Sequence, residues 1–186
     1  MLSDPRQARN LPGRPKRDPS DSRWQAQCLE RGAIRGCFVA APEFRLIREH
    51  TRYRRDLTAE RTREKNRVEK LLESAGIKIS SVLTDVHGVS GRDIMDHLAA
   101  GERDPRVLAQ LARNRARRKI PELERALEGA DFLTPELAAL LRMMLARIDQ
   151  LQASITGLST VTGQLLEPYE EQLQQAESMP DRKSVV

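Results

Sequence analysis

Residues 134–169 read TPELAALLRMMLARIDQLQASITGLSTVTGQLLEPY, and Leu141, Met144, Ile148, Leu151, Ile155, Leu158, Thr162, Leu165 and Tyr169 recur along them at alternating spacings of three and four. That spacing is the seam of a coiled coil carried over four heptads. Thr134-Pro135-Glu136 supplies a helix start, and the helix is expected to continue to about Ser178. Gly157 and Gly163 lower its local stability, and Pro168 is expected to kink or end the regular coil. The stripe is longer than any core that 186 residues can wrap around it. Part of it must therefore meet either another long helix or a second copy of the chain.

The other long helix lies at 43–75, where no Gly or Pro occurs between Pro42, which opens it, and Gly76, which stops it. Ile47, Leu57, Val68, Leu71 and Ala75 share its seam, yet Arg54, Arg61 and Glu64 occupy seam positions between them. A dry coiled coil does not tolerate such residues. Ten cations lie between Arg45 and Lys70, among them Arg52, Arg54, Arg55, Arg61, Arg63, Lys65 and Arg67, and they wrap around the helix rather than forming one outer stripe. Two readings stay open. The cations grip phosphates from several sides, or they pair within the helix with Asp56, Glu60 and Glu64.

Between the long helices, residues 77–130 read as several short helices divided by turns. Ile77 to Leu83 is a strand or an irregular connector, one helix runs from Val89 to about Ala100, another starts at Asp104-Pro105, and a last one runs from Pro121 to Gly129. Arg113, Arg115, Arg117, Arg118 and Lys119 form a second basic run.

Composition agrees with an all-helical reading. Charged residues make up 32% and aromatics 3%, too little bulk for a thick core, while helix formers abound. The net charge of +5 is uneven: residues 42–73 hold ten Lys/Arg against seven Asp/Glu, whereas 129–186 hold four against eight. A polyanion suits the front of such a chain and a protein partner its back. Two cysteines, Cys28 and Cys37, and three scattered histidines offer no zinc-spaced set. The polar amino-terminal stretch has no apolar core of a signal peptide, and no membrane span is expected. Walker, dinucleotide and Gly-x-Ser-x-Gly motifs are absent from the sequence.

Asn10-Leu-Pro-Gly-Arg-Pro-Lys-Arg-Asp-Pro-Ser-Asp carries the remaining chemistry. Asp18 stands at an N-cap, Pro19 at the first helical position and Asp21 at the third, so the two carboxylates share a face of the first turn. The helix is expected to run to about Arg31, with Gly32 as its stop, and Gly36 to Ala41 form a brief extended segment. Taken alone, Asp-x-x-Asp reads first as a capping motif; behind Arg14, Lys16 and Arg17 it also reads as half of a metal site.

In that stretch, and in Thr51-Arg-Tyr-Arg-Arg-Asp-Leu, Glu60-Arg-Thr-Arg-Glu-Lys-Asn-Arg, Leu72-Glu-Ser-Ala-Gly-Ile-Lys-Ile, Gly88-Val-Ser-Gly-Arg-Asp-Ile-Met and Ala100-Gly-Glu-Arg-Asp-Pro, the sequence resembles the DEDD transposases of the insertion-sequence one-ten class, the bridge-RNA-guided recombinases. The resemblance implies that Asp18 and Asp21 are catalytic and bind Mg²⁺ as the last two acids of the DEDD set. It further implies that the long helices form a coiled-coil region joining protomers and contacting DNA and guide RNA. Arg14, Lys16, Arg17, Arg52, Arg54, Arg55, Arg61, Arg63, Lys65 and Arg67 are the expected nucleic-acid contacts.

The expected fold is mainly α and elongated: two long coiled-coil helices with a short helical subdomain between them, preceded by the last helix of a RuvC-like α/β domain. The divisions expected are a RuvC-like remnant at 1–41, a basic helix at 42–76, a short-helix subdomain at 77–130, a coiled-coil helix at 131–178 and a disordered tail at 179–186. The first Asp, the Glu and the serine domain of the family are missing from this sequence, which implies an internal fragment of a transposase, inactive in DNA recombination by itself. Two other readings are a non-enzymatic nucleic-acid-binding or dimerisation module, and a purely structural coiled coil. A cytoplasmic, nucleoid-associated homo-oligomer is the expected setting.

Overall fold

In a computed structural model, which describes residues 18–34 and 39–178, every regular element is helical and no strand occurs among the described residues. The helices are α1 (Asp18–Glu30), α2 (Pro42–Ser74), α3 (Val89–Ala100), α4 (Pro105–Gln110), α5 (Ile120–Ala126), α6 (Pro135–Leu166) and α7 (Glu170–Glu177). Four 3-10 turns join them, at Ile79–Ser81, Asn114–Lys119, Glu128–Phe132 and Glu167–Tyr169. The chain divides into two units, Met1–Arg48 and Glu49–Val186. The expected tail at 179–186 and the first half of the expected extended segment at 36–41 lie outside the described residues.

The helix stop expected at Gly76 falls where the sequence places it, whereas the helix expected from Pro121 to Gly129 ends at Ala126 and Gly129 lies in the 3-10 turn Glu128–Phe132. At the end of α2 the Gly76 N–H donates to the Glu73 carbonyl at 2.9 Å and the Ile77 N–H to the Leu72 carbonyl at 2.9 Å. This is a Schellman motif: Gly76 takes the left-handed conformation at φ 77°, and Ile77 and Leu72 both enter the core. Starts obey the same chemistry. Asp104 accepts the Arg106 N–H at 2.8 Å ahead of Pro105, and Thr134 caps α6 ahead of Pro135. Pro168 marks the end of the long helix, for α6 gives way to a 3-10 turn at Glu167–Tyr169 before α7 begins. Residues 77–83 resolve to the second sequence reading, a connector with one 3-10 turn.

The principal core lies in the second unit. The short helices supply Ile94, Met95, Leu98, Leu108, Leu123 and Leu127; α2 adds Val68 and Leu72, and α6 adds Leu141, Leu145 and Ile148. Burying a side chain of this size stabilises by about 1.5–3 kcal/mol. No polar or charged residue among those described is fully buried. Helix α3 packs on α6, and α4 on α5. Two glycines permit close approach: a Cβ at Gly91 would stand 1.9 Å from the Val86 carbonyl oxygen, and one at Gly129 would stand 2.5 Å from the Gly76 carbonyl carbon. Beside the second contact, the Lys78 N–H donates to the Ala126 carbonyl at 2.9 Å and stitches the connector to α5.

Where the two long helices meet beyond this core, they run antiparallel. Leu57 of α2 packs with Leu151 and Ile155 of α6 in a separate small cluster, bordered by Leu158. Two details of the expected seam change. Leu72 takes the fully buried position and Leu71 only borders the core, and Leu145 is buried while Met144 is partly exposed. The partner surface is the short-helix subdomain as well as the other long helix, so the buried stripe is wider than a two-helix seam.

Candidate carboxylate pair and nucleic-acid interface

The first turn of α1 carries both acids of the Asp-x-x-Asp unit. Asp21 is half-buried and its Oδ2 accepts a hydrogen bond from Gln25 Nε2 at 3.1 Å, one turn along the helix. Asp18 opens the same helix three residues earlier. Arg14, Lys16 and Arg17 lie outside the described residues. Among the described residues no three of His, Cys, Asp and Glu come together as a ligand set. Two carboxylates on one turn supply fewer donors than the octahedral shell of a Mg²⁺ ion requires, and fewer still than a two-ion centre. The described side chains do not by themselves fit the metal.

On α2 the structure sorts the cations by what they touch. Arg54 Nε donates to Ser159 Oγ at 2.7 Å, and Arg61 Nη1 donates to Gln152 Oε1. Both acceptors lie on α6. The two pairs share one antiparallel register, because a step of seven residues from Arg54 to Arg61 is matched by a step of seven back from Ser159 to Gln152. Glu60 adds a looser cross-helix contact, 3.7 Å from Arg147. Arginine at a seam position is thus accommodated by a polar partner opposite it, which the heptad pattern of one helix alone does not reveal.

The other α2 cations point elsewhere. Arg52 pairs with Glu49 at 2.9 Å, Arg67 with Glu64 at 2.7 Å, and Arg55 lies 3.6 Å from Asp56. Arg63 is exposed, has no ion pair among the described residues, and lines a shallow polar cleft with Glu60, Glu64, Arg67 and Arg147. At 100° per residue Arg52, Arg55 and Arg63 fall on the side of α2 opposite Leu57 and Arg61. Arg52, Arg55 and Arg63 thus share one face, while Arg54, also exposed, lies on the face turned to α6. Surface pairs of this kind contribute roughly 0–1 kcal/mol each, so a polyanion can displace them at little cost.

Lys65 serves the fold differently. His87, from the connector before α3, has only 7% of its side chain exposed, lies 3.6 Å from Glu69 and is hydrogen-bonded to the Lys65 backbone. Burial, reinforced by the Lys65 charge, lowers its pKa below the ordinary histidine value, and Glu69 and Asp85 offset this in part.

Other cations reading as surface charge in the sequence are structural. Arg103 donates to the Leu133 carbonyl at 3.1 Å and to the Leu98 carbonyl at 2.8 Å, and Arg142 donates to the Ala99 carbonyl at 2.5 Å, so both close the carboxyl end of α3. Arg92 makes a bidentate pair with Asp149 of α6 at 2.6 and 2.8 Å while also holding Asp96, which raises its pKa above the ordinary arginine value. Its i,i+4 spacing to Asp96 was a legible signal; the long-range partner was not.

No helix among the described residues is long and apolar enough to cross a membrane. The transposase family of the IS110 DEDD type matches residues 2–77. No curated protein and no solved structure matches the chain. The matched residues take in Asp18, Asp21 and all of α2, whereas the Gly88-Val-Ser-Gly-Arg-Asp and Ala100-Gly-Glu-Arg-Asp-Pro segments lie beyond them. Over residues 2–77, somewhat under half of its length, the chain is similar to the DEDD transposases of the insertion-sequence one-ten class.

Proposed function

We propose that this chain serves DNA transposition by site-specific recombination, holding nucleic acid along the outer face of α2 and contributing Asp18 and Asp21 to a RuvC-like carboxylate centre. The observation that carries this reading is the family match at 2–77, which joins the carboxylate pair and the cationic helix in one transposase segment. Mg²⁺ is the ion such a centre would take, and the remaining carboxylates would come from outside the pair. On this reading the pair alone does not support strand cleavage. DNA and a structured guide RNA are the partners, and the outer part of the long-helix pair joins two copies as a coiled coil.

Phosphate contact falls to Arg52, Arg55 and Arg63, since Arg54 and Arg61 already reach Ser159 and Gln152. The test is a salt-dependent gel shift with structured RNA. Replacing Arg52, Arg55 and Arg63 together with Gln abolishes the shift at moderate salt, and an unchanged shift contradicts the reading. A second reading is a non-enzymatic nucleic-acid-binding and dimerisation module, favoured by the lack of a three-residue ligand cluster among the described residues. The two differ in one result: cleavage of DNA with Mg²⁺, restored by adding the missing carboxylates in trans and lost with Asp18→Ala, belongs to the first alone.

A further inference from the structure

The densest run of unpaired arginines among the described residues lies outside the family-matched segment, at the 3-10 turn Asn114–Lys119. Asn114 turns the chain with φ 51°, and Arg115, Arg117 and Arg118 follow, all exposed and none with an ion pair among the described residues. The turn is fastened at both ends. Before it, Arg113 pairs with Asp93 at 2.7 Å and its N–H donates to Ser90 Oγ at 2.9 Å; at its end, Lys119 Nζ donates to the Val82 carbonyl at 2.7 Å. Three guanidinium groups are therefore presented on an anchored segment.

Like charges this close repel, and α2 relieves the same problem by interleaving Glu49, Asp56 and Glu64 with its arginines. The 113–119 run contains no acid. The adjoining open cleft of about 380 Å³ is lined by Gly88, Ser90, Arg113 and Arg115, with Asp85 as its one carboxylate. Asp85 is already engaged, its Oδ1 accepting the His87 N–H at 3.0 Å. Asp85 keeps its charge, so one carboxylate stands against three unpaired guanidinium groups and the surface is net cationic.

We propose that Arg115, Arg117 and Arg118 form a second nucleic-acid contact, gripping the phosphate backbone of a duplex. With three residues per turn and about 2.0 Å rise per residue, Arg115 and Arg118 lie on the same edge roughly 6 Å apart. Each guanidinium offers a planar fork for phosphate oxygens. No aromatic residue occurs between 113 and 119, so the patch has nothing on which to stack an unpaired base, and single strands gain little from it.

The experiment is fluorescence anisotropy of the full chain against short duplex DNA, duplex RNA and a single strand, over a range of salt. The R115Q/R117Q/R118Q variant flattens the plot of log affinity against log salt by about 2–3 on duplex DNA, roughly 0.9 for each phosphate no longer neutralised, and flattens it likewise on duplex RNA. R115K/R117K/R118K keeps the slope. Circular dichroism melts of both variants coincide with the parent, because these side chains are exposed and hold no ion pair among the described residues. An unchanged duplex slope in the Gln variant, or an effect confined to the single strand, overturns the proposal. The result is separable from that for α2: a slope that falls only when Arg52, Arg55 and Arg63 are replaced refutes this contact and leaves the α2 contact standing, and the opposite pattern does the reverse.

Discussion

The two ends of the contact between α2 and α6 are built from different materials. At the inner end Val68 and Leu72 meet Leu141 and Leu145 within the main core, with every one of them at most 2% exposed. At the outer end three buried apolar residues, Leu57, Leu151 and Ile155, are flanked by Arg54 with Ser159 and Arg61 with Gln152. The inner end obtains stability from area removed from water, which is strong and tolerant of register. The outer end obtains alignment from paired polar groups, which are weak and intolerant of a shift, since sliding one helix by a turn separates both pairs at once.

The comparison breaks most readily at the core. Leu141→Ala should cost about 2–5 kcal/mol in urea unfolding, because the site is closed on all sides and relaxes only partly; Ile155→Ala should fall at the low end of that range, its site lying in a three-residue cluster. Equal costs at the two sites would mean that both ends are packed alike. Next in size is the tie between α3 and α6. Arg92→Ala removes the bidentate pair with Asp149, but the partners are 30% and 56% exposed, so about 1 kcal/mol or less is expected from thermal melts. Smaller still is the coupling of Arg61 to Gln152, about 0.5–1 kcal/mol in a double-mutant cycle.

The smallest effect is electrostatic. His87 has a folded-state pKa below its unfolded value, so between the two the unfolded chain binds more protons and stability declines as pH falls through that window. Lys65 from α2 opposes the charged form, while Glu69 from α2 and Asp85 from the connector favour it. His87→Gln should remove this acid-side decline in a pH series of urea midpoints; a decline that persists unchanged assigns it to other groups.

Much of this architecture was legible in the sequence because helix ends are local chemistry. Gly32, Gly76 and Gly101 stop helices through bonds to residues three to five positions back, and Asp104-Pro105 and Thr134-Pro135 start them within one turn. Pro168 breaks the long helix for the equally local reason that it lacks an N–H. The cation assignments were less legible. Whether an arginine is free for phosphate depends on what stands across from it, and Ser159 and Gln152 are more than ninety residues away from Arg54 and Arg61. Pairing α2 with α6 in the antiparallel sense would have exposed the match, since both polar pairs fall in one register. Arg103 and Arg142 escaped for the same reason: their acceptors are backbone carbonyls, which every residue has and no motif records.

At the candidate site, the spacing of Asp18 and Asp21 was readable, and α1 begins at Asp18, one residue before the start that an Asp18 N-cap predicts. The ligand count of a metal centre was not readable from two residues of one turn. It depends on carboxylates that a fold brings together from distant strands or chains, and spacing along one helix is silent about those.

α2 divides its arginines: Arg54 and Arg61 reach across to α6, and Arg52, Arg55 and Arg63 are the ones proposed to face a polyanion. One salt titration of duplex binding, run beside thermal melts, tests it directly. Arg54→Met with Arg61→Met should shift the melt and keep the salt slope, whereas Arg52→Gln, Arg55→Gln and Arg63→Gln together should leave the melt in place and flatten the slope by about 2–3. A flattened slope from the Met pair with an unmoved melt, or a shifted melt from the Gln set with the slope retained, would contradict it.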